Sequence, residues 1–147
     1  MLAKRILASK EGYGFILPEE EAIAFRRAGK QVLNPGPKGA LISLPLTTQG
    51  GGAADHLAVI GDNGKILIFP TAELPEMPRG KGVKLQSYRE GALRDATAFP
   101  AAEGAAWIDT AGRTFQWAEW RDWLGKRAGA GKLAPRGFPA SKRFRPR

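Results

Sequence analysis

A hairpin pattern that recurs three times at a spacing of about fifty residues constrains this chain more than any other feature. Its clearest copy joins His56-Leu-Ala-Val-Ile-Gly61 to Lys65-Ile-Leu-Ile-Phe69 through Asp62-Asn63-Gly64, a turn whose Asn-Gly pair tolerates positive φ. Upstream the same order reads Arg5–Ser9, a turn at Lys10–Gly12, then Tyr13–Leu17. Downstream it reads Ala106–Asp109, a turn at Ala111-Gly112, then Arg113–Trp117. Each hairpin is followed by a loop of glycine and cations. Their glycines Gly29, Gly80 and Gly129 are 51 and 49 positions apart. A fixed period of this length marks units that bury their apolar faces against one another. The expected fold is all-β, an arc of three four-stranded blades at about 4–48, 55–100 and 104–140, starting near Lys4, His56 and Ala105. A basic tail, 141–147, is expected to be disordered at its end.

The remaining strands are weaker signals. Gln31–Leu33 and Ala40–Leu44 flank the Pro- and Gly-rich Asn34–Gly39 in the first unit, and Val83, Leu85, Leu93, Ala96 and Ala98 supply the last two strands of the second. Ala22–Phe25 reads as a helical turn or corner after the solvated Glu19-Glu20-Glu21. Thr47–Ala54 and Pro100–Gly104 read as connectors, the first flexible. Four tryptophans lie in the third unit. Exposed indoles make stacking platforms for bases, but Trp107 and Trp117 fall at hairpin core positions and Trp120 and Trp123 on one helical face, which favours packing.

Composition limits the function classes. The chain has no cysteine, which removes disulfides, thiolate nucleophiles and cysteine-bound metals. No apolar stretch approaches the roughly 20 residues that span a bilayer, so neither a membrane segment nor a signal peptide is expected, and the chain reads as cytoplasmic. No metal spacing or cofactor motif is found; Pro78–Gly82 lacks the further glycine, Ser/Thr and helix of a phosphate-binding P-loop. The one histidine, His56, has no recognisable nucleophile motif and reads as structural.

Twenty-three Lys and Arg oppose 14 Asp and Glu, a net charge of +9, and the span from Lys126 to Arg147 holds cations and no acid. A polyanion is the natural partner. Glycine lets backbone N–H groups approach phosphate while Arg and Lys neutralise it. The candidate contacts are Arg26, Arg27 and Lys30 in the first loop with Lys38 after it, Arg79, Lys81 and Lys84 in the second, and Lys126, Arg127 and Lys132 in the third. Three such loops on one rim suit a bent duplex held by its phosphates rather than read at its bases.

Leu57–Phe69 and Glu73–Gln86, together with Gly12–Phe15 and Gly137–Phe144, resemble the C-terminal domain of the A subunit of bacterial DNA topoisomerase IV, a relative of the gyrase A subunit. The resemblance implies a β-pinwheel whose blades exchange a strand or hairpin and hold double-stranded DNA on a basic outer edge. Complete domains of the family have more than three blades. It further implies a domain that captures duplex DNA for topology change and decatenation without chemistry or cofactor of its own. The nucleophilic tyrosine then lies in the N-terminal cleavage domain of the same polypeptide, ATP hydrolysis in the B subunit, and the protein at the nucleoid. Neither Tyr13 nor Tyr88 sits in that cleavage motif. Met77–Gly82 is one glycine and two flanking residues short of the gyrase box Gln-Arg-Arg-Gly-Gly-Lys-Gly, which favours topoisomerase IV over a gyrase wrapping domain. A propeller that binds an acidic protein, or an enzyme using His56, remains as the alternative.

Overall fold

The computed structural model describes residues 4–18, 40–45, 54–78, 80–89 and 91–145. All three hairpins are present: β1 (Arg5–Ser9) with β2 (Tyr13–Leu17), β4 (His56–Gly61) with β5 (Lys65–Pro70), and β8 (Ala105–Ile108) with β9 (Thr114–Trp117). They turn by one device. The N–H groups of Gly12, Gly64 and Gly112 donate to the carbonyls of Ser9, Gly61 and Asp109, with φ of 90°, 79° and 85° at the glycines. Only glycine enters that left-handed region without strain, so the third turn residue is glycine each time. Asn63, expected at positive φ, instead accepts the Lys65 N–H on its side-chain oxygen at 3.0 Å.

Four further strands complete the sheets: β3 (Ala40–Pro45), β6 (Val83–Lys84), β7 (Leu93–Phe99) and β10 (Lys132–Leu133). The first sheet runs β3-β1-β2-β6 and the second β10-β5-β4-β7, while β8 and β9 form a third, two-stranded sheet among the described residues. No α-helix occurs among those residues; short 3-10 turns fill the corners at Thr71–Glu73 and Trp120–Trp123. The all-β class expected from the sequence is the one found.

The sheets stack face to face. Successive side chains of a strand point to opposite faces, so Leu57 and Val59 join Ile6, Ala8 and Ile16 of the first sheet while Ala58 and Ile60 join Trp107 and Trp117 of the third. Both faces of the second sheet are thus covered, which explains why its hairpin is continuously apolar. Each large side chain sealed in this way, such as Phe69 at 0% exposure, contributes about 1.5–3 kcal/mol of transfer free energy.

Sheet membership departs from the contiguous units in one respect. Val83–Lys84, expected with Leu85 as a strand of the second unit, pairs with Tyr13 and Gly14 of the first sheet. Lys132–Leu133 likewise pairs with Ile66 and Lys65 of the second. Each complete sheet takes its fourth strand from the following segment. The basic tail also packs: Phe144 is 1% exposed, its N–H donates to Asp95 Oδ2 at 2.8 Å and its carbonyl accepts from Ile108 N–H at 2.7 Å. The expectations for Glu19–Glu21, Ala22–Phe25, Gln31–Leu33, the connector through Ala53 and the final two residues lie outside the described residues.

Candidate nucleic-acid interface

The donated strands are held in place by glycine. Gly82 (φ 86°) and Gly131 (φ 83°) precede β6 and β10, and a Cβ at either would run into the carbonyl of Gly14 or Ile66 on the strand opposite. Before these glycines, Ile16 bridges Glu76 and Ile68 bridges Leu124 in the same parallel manner. The two exchange segments share a register from the donated strands back to the glycines, where Gly80 corresponds to Gly129, and the third-unit segment carries one extra residue between its bridge and its strand.

The cations do not superpose. Val83 lies opposite Gly14 as Lys132 lies opposite Ile66, and Lys84 lies opposite Tyr13 as Leu133 lies opposite Lys65. A one-residue offset in a strand sends side chains to opposite faces. Lys84 is exposed on β6, and Lys81 holds its Nζ 4.1 Å from the Tyr13 ring centroid, also exposed. Lys132 turns its Nζ to the Asp122 carbonyl at 2.9 Å and sits over the Trp123 ring. Lys126 is exposed, whereas Arg127 is half-buried and donates from Nη1 to the Lys84 carbonyl at 2.7 Å. Arg26, Arg27, Lys30, Lys38 and Arg79 lie outside the described residues.

What sequence reasoning missed is how the second and third loops meet. Ala128 N–H donates to the Leu85 carbonyl at 2.9 Å, Ser87 N–H to Gly129 at 3.0 Å and Ser87 Oγ to the Ala128 carbonyl at 2.7 Å. Gln86, fully buried, donates from Nε2 to the carbonyls of Lys65 and Ala130 at 2.9 and 3.0 Å. The polar pair Gln86-Ser87, directly after the apolar Val83 and Leu85, was the available signal. Its two side chains donate to three main-chain carbonyls, and a fully buried Gln86 amide needs such partners. Lys81, Lys84 and Lys126 are thereby borne on one hydrogen-bonded junction between segments that are more than forty residues apart.

His56 has the structural setting expected of it. Its Nδ1 lies 2.8 Å from Asp55 Oδ1 and its ring packs on Phe99 and Trp120. The hydrogen bond from His56 holds the Asp55 carboxyl below its usual range, against a small opposing cost of burial. Tyr88 is shifted upward by burial and the neighbouring Asp62 charge. It stays neutral and packs against Gly12 and Gly61. Trp107, Trp117 and Trp120 are buried, and Trp123 donates its indole N–H to the Leu133 carbonyl at 3.0 Å, so these indoles are packing elements. Among the described residues, no three His, Cys, Asp or Glu side chains are grouped to hold a metal, and no helix is long and apolar enough to cross a membrane.

Residues 6–44 and 55–94 match the family described as DNA gyrase C-terminal domain, beta-propeller, a division that falls on the first two hairpin units. The chain is 67% identical over 98% of its length to the A subunit of DNA topoisomerase 4 from Caulobacter vibrioides. To the protein of the same name from Rickettsia bellii it is 36% identical over 95% of its length. It spans 18% of the length of each of these relatives. The solved structure of the E. coli ParC C-terminal domain superposes with a TM-score of 0.71 and 26% identity, covering 93% of this chain and 57% of that one. A crystal structure of the C-terminal domain of DNA topoisomerase IV gives 0.65 at 14% identity, over 95% of this chain and 44% of that one, a likeness of fold.

Proposed function

The chain belongs to the DNA gyrase C-terminal domain, beta-propeller, family, and on that premise we propose that it binds duplex DNA as part of the A subunit of a type II topoisomerase. In this reading it captures and positions a DNA segment for topology change and decatenation at the nucleoid. The cleavage domain of the same polypeptide and an ATPase B subunit carry the chemistry. The observation that supports it best is the hydrogen-bonded junction of the second and third loops, the two loops on which Lys81, Lys84 and Lys126 are exposed, in a chain with net charge +9. Arg26, Arg27, Lys30, Lys38 and Arg79 extend the same role on sequence grounds. Lys132 contributes less, since its ammonium is already turned to Asp122.

Phosphate contacts of this kind release counterions, so affinity falls steeply with salt and by a similar amount for all sequences. Replacing Lys81, Lys84 and Lys126 together by Ala should reduce the slope of log K against log salt by about 0.9 for each phosphate no longer neutralised. Duplex binding over a salt series measures this, and an unchanged slope assigns those lysines to solubility. Joined to the cleavage core and B subunit, the neutralised domain should leave basal cleavage intact while slowing decatenation. Full decatenation rate with the neutralised domain overturns the reading.

A further inference from the structure

Arg127 stands among the candidate phosphate ligands, but its surroundings assign it another part. Its backbone N–H donates to Glu73 Oε1 at 3.0 Å and its Nη1 to the Lys84 carbonyl at 2.7 Å. Its Nε is sealed from solvent without a partner, so the side-on fork that arginine offers to a phosphate faces inward. The two acceptors lie on separate elements, one beside the second sheet and one in the first. Glu73 stands in the corner directly after β5 of the second sheet, and Lys84 lies on β6, the fourth strand of the first. Arg127 itself belongs to the segment that runs on to donate β10 to the second.

We propose that Arg127 is a positioning residue, a bracket that fixes the angle between the first two sheets and so the course of DNA over Lys81 and Lys84. The DNA part of this rests on the proposed function; the bracket itself does not. Three elements meet at one guanidinium-bearing residue, and the neighbouring bonds from Ala128 to Leu85 and from Ser87 to Gly129 depend on the loop that it anchors. Glu73 makes the idea separable from simple electrostatics. As an acid beside a DNA-binding ridge it would repel DNA, and its removal would tighten binding. As the acceptor that holds Arg127, its removal loosens the bracket.

The test uses the 147-residue chain and its R127A, E73A and K126A variants in two measurements. Amide hydrogen exchange without DNA should show Ala128 and Ser87 exchanging about tenfold faster in R127A and E73A, and unchanged in K126A. Energy transfer between the ends of a labelled duplex, together with the salt slope, should show less bending with an unchanged slope in R127A and E73A. K126A should flatten the slope by about 0.9 and leave the bend alone. R127A that flattens the slope with amide protection intact would make Arg127 a phosphate ligand and overturn the proposal. So would E73A that tightens binding with no change in bend. Should the unaltered chain fail to bind duplex at all, the functional reading falls, while the exchange data still decide the bracket.

Discussion

The second sheet and the third are built from the same hairpin and end up in different surroundings. In β4 and β5 nearly every residue is buried, whereas β8 alternates between buried and half-buried residues and three of the four residues of β9 are exposed. The second sheet lies between two neighbours, and mostly aliphatic side chains, with Phe69 on one face and Phe99 on the other, fill both of its faces. The third packs one face on the second, and there it uses bulk. Trp107 and Trp117, with Phe138 and the tail's Phe144, form edge-to-face contacts with centroids 5.2–5.7 Å apart, geometry that adds to the area they bury. A repeat unit is therefore not a fixed chemical object: its composition follows the number of faces it must cover.

The contrast between the two sheets should be largest in their cores. Phe69, at 0% exposure between the sheets, should cost about 3–5 kcal/mol on truncation to Ala. Phe115 in the third sheet, which corresponds by register to Leu67 of the second and is 38% exposed beside Arg113, should cost about 1 kcal/mol or less. Urea unfolding of the two variants measures the difference, and equal losses would mean that the third sheet is as enclosed as the second.

Glycine gives the next largest difference. Gly82 and Gly112 share positive φ, but a Cβ at Gly112 meets nothing within 4 Å while one at Gly82 strikes the Gly14 carbonyl. Gly112→Ala should lose about 1–2 kcal/mol, the left-handed strain alone. Gly82→Ala should lose more and should release β6, visible as faster amide exchange at Lys84 and Leu85. Equal stability of the two would show that β6 yields without cost.

Acid titration should show the least. Asp55 ties the start of the second unit to the connector that follows that unit, accepting from His56 and from Ala101 N–H at 2.8 and 2.7 Å, and its pKa is lowered. A lowered carboxylate contributes stability above its unfolded pKa of about 3.9 and loses it as pH falls through the folded value. Because the Asp55 side chain is more than half-exposed, solvent screening limits this to under about 1 kcal/mol. Asp109, also lowered, chiefly by the Arg113 backbone N–H, spans only its own turn. Asp55→Asn should flatten the acid limb of the stability curve; an unaltered limb would show that the tie to the connector at Ala101 adds nothing to stability.

Much of the architecture was legible because it is local. The hairpins rest on a glycine three or four residues past a strand end and on apolar runs that adjoin it, interactions that a short segment carries with it wherever it goes. Tryptophan burial was legible for the same reason, since Trp107 and Trp117 sit on facing strands of one hairpin. The cationic loops were legible as glycine and charge, but the register that turns Lys132 and Lys84 to different faces was not, because a single residue of offset leaves composition unchanged.

Three hairpins, an all-β class, the apolar strands of the stack and an excess of positive charge all follow from the order of residues alone. Folding in three dimensions was needed to make Val83–Lys84 complete the first sheet and Lys132–Leu133 the second, to tie down the tail through Phe144, and to join Glu73 to Lys84 through Arg127. Sequence distance is the cause of this division. A two-residue strand has too few side chains to name its partner, and it pairs where glycine permits close approach and where packing of the whole stack leaves an open edge.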